Sequence, residues 1–229
     1  KYLEEATMRI VLLGAPGSGK GTQATKLADH FGLPRISTGD MLRDAAEEES
    51  GPGRQVRALL ELGQHVPDEI VCSVLKERLR KPDIRGGFLL VGFPRSAAQA
   101  NALDEILDYL NLPLDLVLLL EGDHDQFMER LEGRQICQSC GTMYNIFSNP
   151  PRVEGACDLC GGPVRRRVED NEETISNRMR VFDHQSASLV QYYRLHGKLR
   201  QVEADGDSDA VYQALQNIID EHPPTILET

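Results

Sequence analysis

Residues Gly14-Ala-Pro-Gly-Ser-Gly-Lys-Gly-Thr22 follow directly on the apolar run at 8–13. Such a run reads as a short buried strand, and residues 20–30 after it read as a helix. The spacing G-x4-G-K between a strand and a helix is the P-loop. Glycines at 14, 17 and 19 let the backbone curl tightly and present bare N–H groups to a polyphosphate. Lys20 stands where an ammonium reaches the β- and γ-phosphates, and the helix N-terminus adds favourable partial charge. Gly17, Ser18, Gly19, Lys20, Gly21 and Thr22 are therefore expected to hold nucleotide phosphates.

The usual P-loop has Ser or Thr after its lysine, as a direct Mg²⁺ ligand. Here Gly21 takes that place and the hydroxyl comes one residue later, at Thr22. Any magnesium ion is expected to be held mainly by water and phosphate oxygens, which suits small nucleotide kinases better than GTPases or motor ATPases.

The 229 residues are enough for one large domain with insertions, and 40% hydrophobic content supports a core. No apolar run reaches the length of a membrane span, and no secretory leader is visible. A cytoplasmic location is expected. Met8 reads as a natural start, with 1–7 as an N-terminal extension and 223–229 as a C-terminal tail. A net charge of −11 opposes broad nucleic-acid binding, which needs a basic footprint, but not a small nucleotide met by local arginines.

Four of the five cysteines lie within 137–160. Cys137-Gln-Ser-Cys140 and Cys157-Asp-Leu-Cys160 form two CxxC pairs, each followed by glycine, with 16 residues between them. That is the spacing of a structural four-thiolate zinc site. Disulfides are the alternative, disfavoured in a reducing compartment; iron or cobalt are alternative metals. Cys72, inside an apolar helical pattern, reads as core.

Strands are expected at 9–13, 88–91, 116–120 and 200–203, and helices at 20–30, 68–81, 97–110, 123–132, 171–195 and 208–220. Nearly continuous apolar strands alternating with helices imply a doubly wound parallel α/β sheet, with ligands at the carboxyl ends of its strands. Two stretches interrupt the alternation. Residues 37–66 are helical but polar, with Gly51-Pro52-Gly53 as a breaker. Residues 133–170 carry the cysteines and have no helical period; such a piece needs a metal to supply stability its small core cannot. The core is then 8–36, 67–132 and 171–222.

The motifs GAPGSGKGTQA at 14–24, ISTGDMLR at 36–43, GFPRSAAQA at 92–100 and RRRVEDNEET at 165–174, with two CxxC pairs between the last two, resemble a long-form adenylate kinase with a zinc-type lid. The resemblance covers residues 8–222. It implies reversible conversion of ATP and AMP into two ADP with Mg²⁺, residues 37–66 as the AMP-binding insertion, 133–170 as a mobile lid, and a monomer. Phosphoryl transfer to an anionic acceptor calls for alignment and charge neutralisation, which arginines supply. The resemblance implies catalytic roles for Lys20, Arg95, Arg134, Arg167 and Arg178. It puts ATP at residues 17–22 with Arg130 and Arg134, and AMP at Thr38, Arg43, Val66, Gly92, Arg95, Gln99, Arg167 and Arg178. Cys137, Cys140, Cys157 and Cys160 would hold zinc, Asp40 would belong to the water shell of Mg²⁺, and Glu169 and Asp170 would orient lid arginines. Asp170, Thr174 and Arg178 share a face if their segment is helical.

Three departures from the pattern stand out. Val91 takes the place of the usual Asp before Gly-Phe-Pro-Arg, so weaker Mg²⁺ use and slower turnover are expected. Glu169 replaces an aspartate. In the lid run 144–151, Phe147 is displaced by one position. The rival readings are a kinase for another nucleoside monophosphate, a nucleotide-binding regulator with little catalysis, and a zinc-ribbon nucleic-acid binder built on Arg165-Arg166-Arg167.

Overall fold

In the computed structural model, which describes residues 8–47, 51–61, 66–166 and 170–222, the apolar run Met8–Gly14 (β1) is the central strand of a five-stranded parallel sheet. Arg35–Ser37 (β2), Gly87–Val91 (β3), Leu116–Glu121 (β4) and, last in the chain, Leu199–Glu203 (β8) complete it in the order β2-β3-β1-β4-β8. The expected parallel α/β sheet is thus present. Successive residues of a strand point to opposite faces. Val11, Leu13, Phe88, Leu90, Val117 and Leu119 enter one core; Ile10, Leu12, Leu89, Val91, Leu116, Leu118 and Leu120 enter the other. Both faces are covered, which explains why these strands lack a polar alternate.

Lys20–Phe31 (α1) follows β1, and Thr38–Glu47 (α2) and Gly51–Glu61 (α3) follow β2. Asp68–Arg78 (α4) and Ala97–Leu110 (α5) flank β3, and His124–Glu132 (α6) follows β4. Glu172–Leu195 (α7) and Ser208–Asp220 (α8) bracket β8. Leu75, Leu103, Leu189 and Tyr193 cover one face; Ala24, Leu27, Val211, Leu215 and Ile219 cover the other. Helix starts follow local chemistry. Ser96, Asp123, Asn171 and Asp207 each accept a backbone N–H from their own first turn, worth about 1 kcal/mol apiece.

Differences from the sequence reading are local. Helix α4 stops at Arg78 rather than 81, because Lys81 precedes Pro82 and takes extended backbone before a 3-10 turn at Pro82–Gly86. The expected breaker at 51–53 opens α3, since a first-turn proline has no intrahelical bond to lose. Strand β2 has one buried residue, Ile36, too little apolar signal to stand out. The cysteine segment contains a second, antiparallel sheet: Arg134–Cys137 (β5), Met143–Asn145 (β6) and Val164–Arg166 (β7), in the order β6-β5-β7. No helix among the described residues is long and apolar enough to cross a membrane.

Candidate functional site

The P-loop turns off the carboxyl end of β1. Gly17 has φ +83° and no room for a side chain: a Cβ there would stand 2.1 Å from the Phe127 carbonyl oxygen of α6. The loop is thereby seated on the helix that leads to the cysteine segment. Ser18 is buried, and its N–H donates to the Ala15 carbonyl at 3.2 Å. Gly19, in left-handed backbone, stands at the N-cap of α1 with no side-chain cap; Gly21 and Thr22 fall in the helix's first turn. The Lys20 ammonium donates to the carbonyls of Gly14 and Ala15, both at 2.6 Å, and to Ser18 Oγ at 3.4 Å. Burial, and then the charges of Arg178, Arg95 and Arg134, pull its pKa down to about 7. The three arginines whose charges reach Lys20 come from α7, the β3–α5 loop and β5.

Asp170 organises two of them. It is 1% exposed; it accepts from Arg134 Nε at 2.7 Å and also from Arg134 Nη2, and Arg178 Nη1 lies 3.7 Å away. Asp170 is not on the helix with Arg178, as the four-residue spacing suggested. Asn171 accepts the Thr174 N–H at 3.0 Å and starts α7 after it. Arg167 and Glu169 lie outside the described residues.

The second cluster lies at the ends of β2 and β3. Gly92 has φ +85°, and a Cβ there would meet Thr38 Oγ1 at 2.7 Å. The buried Thr38 hydroxyl donates to the Val91 carbonyl at 3.4 Å. Gln99, 6% exposed, accepts the Arg95 N–H at 2.7 Å and donates to Asp68 at 2.6 Å, while Arg95 Nε donates to the Gly92 carbonyl at 2.9 Å. Val66 is buried in the core on this side. Asp40 is shared by Arg43 and Arg35, the latter at 3.2 Å. Burial would raise its pKa, but the Arg43 hydrogen bond and both guanidinium charges hold it below the ordinary value. Arg35 was missed in the sequence, where a lone arginine in a three-residue strand carries no signal.

On the other side of β1, Arg130 of α6 donates to the carbonyls of Ala204, Asp205 and Gly206 at 2.8, 3.2 and 3.3 Å. The loop before α8 is so drawn towards the P-loop side of the sheet.

The four cysteine sulfurs lie within 4.8 Å of one another. Cys137 and Cys160 are 3.5 Å apart, Cys140 and Cys157 3.6 Å. A tetrahedral zinc ion with bonds of about 2.3 Å has sulfur–sulfur edges of about 3.8 Å, so the donor set fits one. Tyr144 supports it: its hydroxyl lies 3.3 Å from Cys157 Sγ and accepts the Asp158 N–H at 2.8 Å. For magnesium the fit is of another kind. Gly21 and Val91 offer no side-chain oxygen, and Asp40 is paired with two arginines. This donor set suits an ion that keeps its water, as Mg²⁺ does.

A sequence profile of adenylate kinases matches residues 12–198. The chain belongs to the adenylate kinase family. It is 46% identical over 213 residues to an adenylate kinase of Thermodesulfovibrio yellowstonii, covering 93% of this chain and 99% of that one. It is likewise 46% identical over 214 residues to that of Nitrosococcus oceani (93% and 99%), and 45% identical over 212 residues to that of Bacillus subtilis (93% and 98%).

Proposed function

We propose that the protein transfers the terminal phosphoryl group of ATP to AMP, reversibly and with Mg²⁺, giving two ADP. The observation that carries this reading is a P-loop lysine, Lys20, at the carboxyl end of β1, within the electrostatic reach of Arg95, Arg134 and Arg178, the last two sharing Asp170. An anionic acceptor needs no general base. It needs alignment and neutralised charge, which Lys20 and the arginines supply, two of them, Arg134 and Arg178, held at one buried carboxylate.

In this reading residues 17–22 cradle the phosphates of ATP, and Arg130 and Arg134 hold its remaining length. AMP enters between residues 37–66 and the β3–α5 loop, where Arg43 and Arg95 meet its phosphate and Thr38, Val66, Gly92 and Gln99 meet its nucleoside. Gln99 keeps one amide hydrogen and one lone pair beyond its bonds to Asp68 and Arg95, enough to pair with a base edge. Arg167 joins Arg178 at the transferring group. Magnesium, when bound with ATP, neutralises phosphate charge, and Asp40 is the carboxylate available to its water shell. With Val91 apolar, that shell has one acceptor fewer, and turnover is attenuated.

Zinc on the four cysteines would brace residues 133–170 as a lid whose closure excludes water. Thiols at metal-binding separation suit a reducing compartment, which supports the cytoplasm. The partners are small nucleotides acting on a monomer, the net charge of −11 opposing nucleic acid.

A coupled assay with ATP and each of AMP, UMP, CMP and GMP, with and without Mg²⁺, tests the proposal. ADP formation with AMP preferred is the expected result. Preference for another base moves the acceptor assignment, and ATP binding without transfer overturns the reaction.

A further inference from the structure

The three residues of β6 face two ways. Tyr144 turns to the cysteines, so the pleat sends Met143 and Asn145 to the opposite side. Asn145 there ties the segment to its stem: its amide donates to the Arg130 carbonyl at 2.9 Å, and its oxygen accepts the N–H groups of Phe147 and Ser148 at 2.9 and 3.1 Å. Met143, on the same side, reaches the P-loop. Its Cε lies 2.8 Å, and its Sδ 3.8 Å, from where a Cβ on Gly21 would stand.

Gly21 is not demanded by its backbone. Unlike Gly17 and Gly19, it has no positive φ and lies inside α1. Glycine is a poor helix former, and the space it leaves is the space Met143 approaches. We infer that Met143 is the residue through which the cysteine-bearing segment closes onto the nucleotide site, and that Gly21 is bare in order to receive it.

A thioether on a flexible, polarisable stem suits a contact that is made and broken in each cycle. The zinc-braced strand fixes where Met143 points, because Tyr144 is anchored at Cys157 and Asp158 and Asn145 at α6. With Met143 over residue 21, water is kept from the phosphate end of the loop, and transfer is favoured over hydrolysis. Met143 is therefore a positioning residue; the inference rests on the transfer reaction proposed above.

Four full-length, zinc-loaded variants test it: Gly21→Ala, Met143→Ala, the double variant and Met143→Leu. Gly21→Ala, which the terminal methyl of a flexible Met143 must move to accommodate, is expected to raise the KM for ATP about threefold while the KM for AMP stays unchanged. Adding Met143→Ala should recover most of that loss. Met143→Ala alone should increase phosphate release from ATP without AMP, and Met143→Leu should not. Additive penalties, a neutral Gly21→Ala, or equal hydrolysis in all Met143 variants would overturn the inference. If the unaltered protein makes no ADP, the transfer reading fails instead, and calorimetric ATP affinities of the same four variants still read the coupling between residues 21 and 143. Thermal melting of each variant separates these effects from misfolding, and the Met143→Ala to Met143→Leu comparison stands if Gly21→Ala does not fold.

Discussion

Asp170 and Arg134 form a two-point pair that aims a guanidinium at Lys20. The carboxylate is 1% exposed and receives both Nε and Nη2 of Arg134, with Arg178 at 3.7 Å. Without it, two like charges would face each other beside a third.

Asp170→Asn keeps the shape and removes the charge. The planar fork then loses its fixed partner, and misplacement of this size costs about a hundredfold in kcat. The cost in stability is about 2 kcal/mol, at the low end for a buried pair because Arg178 is partly exposed. Initial rates and urea unfolding measure the two effects separately; an unchanged kcat would remove Asp170 from the positioning machinery.

The pKa of Lys20, at about 7 in the ligand-free protein, gives nucleotide binding a pH dependence. An unfolded lysine titrates near 10.4, as about that value holds for free side chains. Between the two values the unfolded chain binds more protons than the folded one, so the stability contribution of this group rises with pH through that window. A bound triphosphate restores the ammonium. Above pH 7, ATP binding should take up a proton and weaken as pH rises. Calorimetry at pH 8 in buffers of different ionisation enthalpy reads the uptake directly, and a buffer-independent heat would contradict it.

Val91 is 7% exposed and packs with Leu12, Leu89 and Ala24 on the α1 side of the sheet. Val91→Asp is expected to raise turnover and sharpen its Mg²⁺ dependence. The buried carboxylate should cost ~2 kcal/mol or more of stability. Mg²⁺ titrations of rate, alongside thermal melting, separate the gain from the loss. Turnover and Mg²⁺ dependence that stay as they were would show that position 91 does not limit the metal.

Tyr144→Phe removes both the hydroxyl contact to Cys157 and the acceptor for the Asp158 N–H. Loss of such a partner to a metal ligand weakens metal affinity by about tenfold or more. Competition with a chromogenic zinc chelator measures this, and equal zinc retention in the variant would count against it. Complete zinc removal should unfold residues 133–170 before the core and raise the KM for ATP more than that for AMP.

Much of this was legible in the chain. Three sheet strands, β1, β3 and β4, are nearly continuous apolar runs because both sheet faces are covered there, and a buried strand leaves an unmistakable run. Glycine spacing at 14–19 and cysteine spacing at 137–160 are local, since the loop backbone and the metal each demand close chain neighbours. Harder to read were β2, with one buried residue, and β5–β7, three- and four-residue strands with no run of alternating apolar residues. Asp170 was expected to orient arginines only through the resemblance, and the structure pairs it with Arg134 and Arg178 while its neighbour Asn171 caps α7.

The residue order alone fixed a parallel P-loop α/β core, four thiols at zinc spacing and the pool of arginines. Those follow from short-range rules: backbone freedom at glycine, burial of continuous apolar runs, and ligand spacing. Only the folded chain decided which arginines share a carboxylate, which carbonyls Arg130 crosses to, and that Met143 lies on Gly21. These contacts join residues 36, 74 and 122 positions apart, and side chains so distant meet through packing that no local pattern encodes.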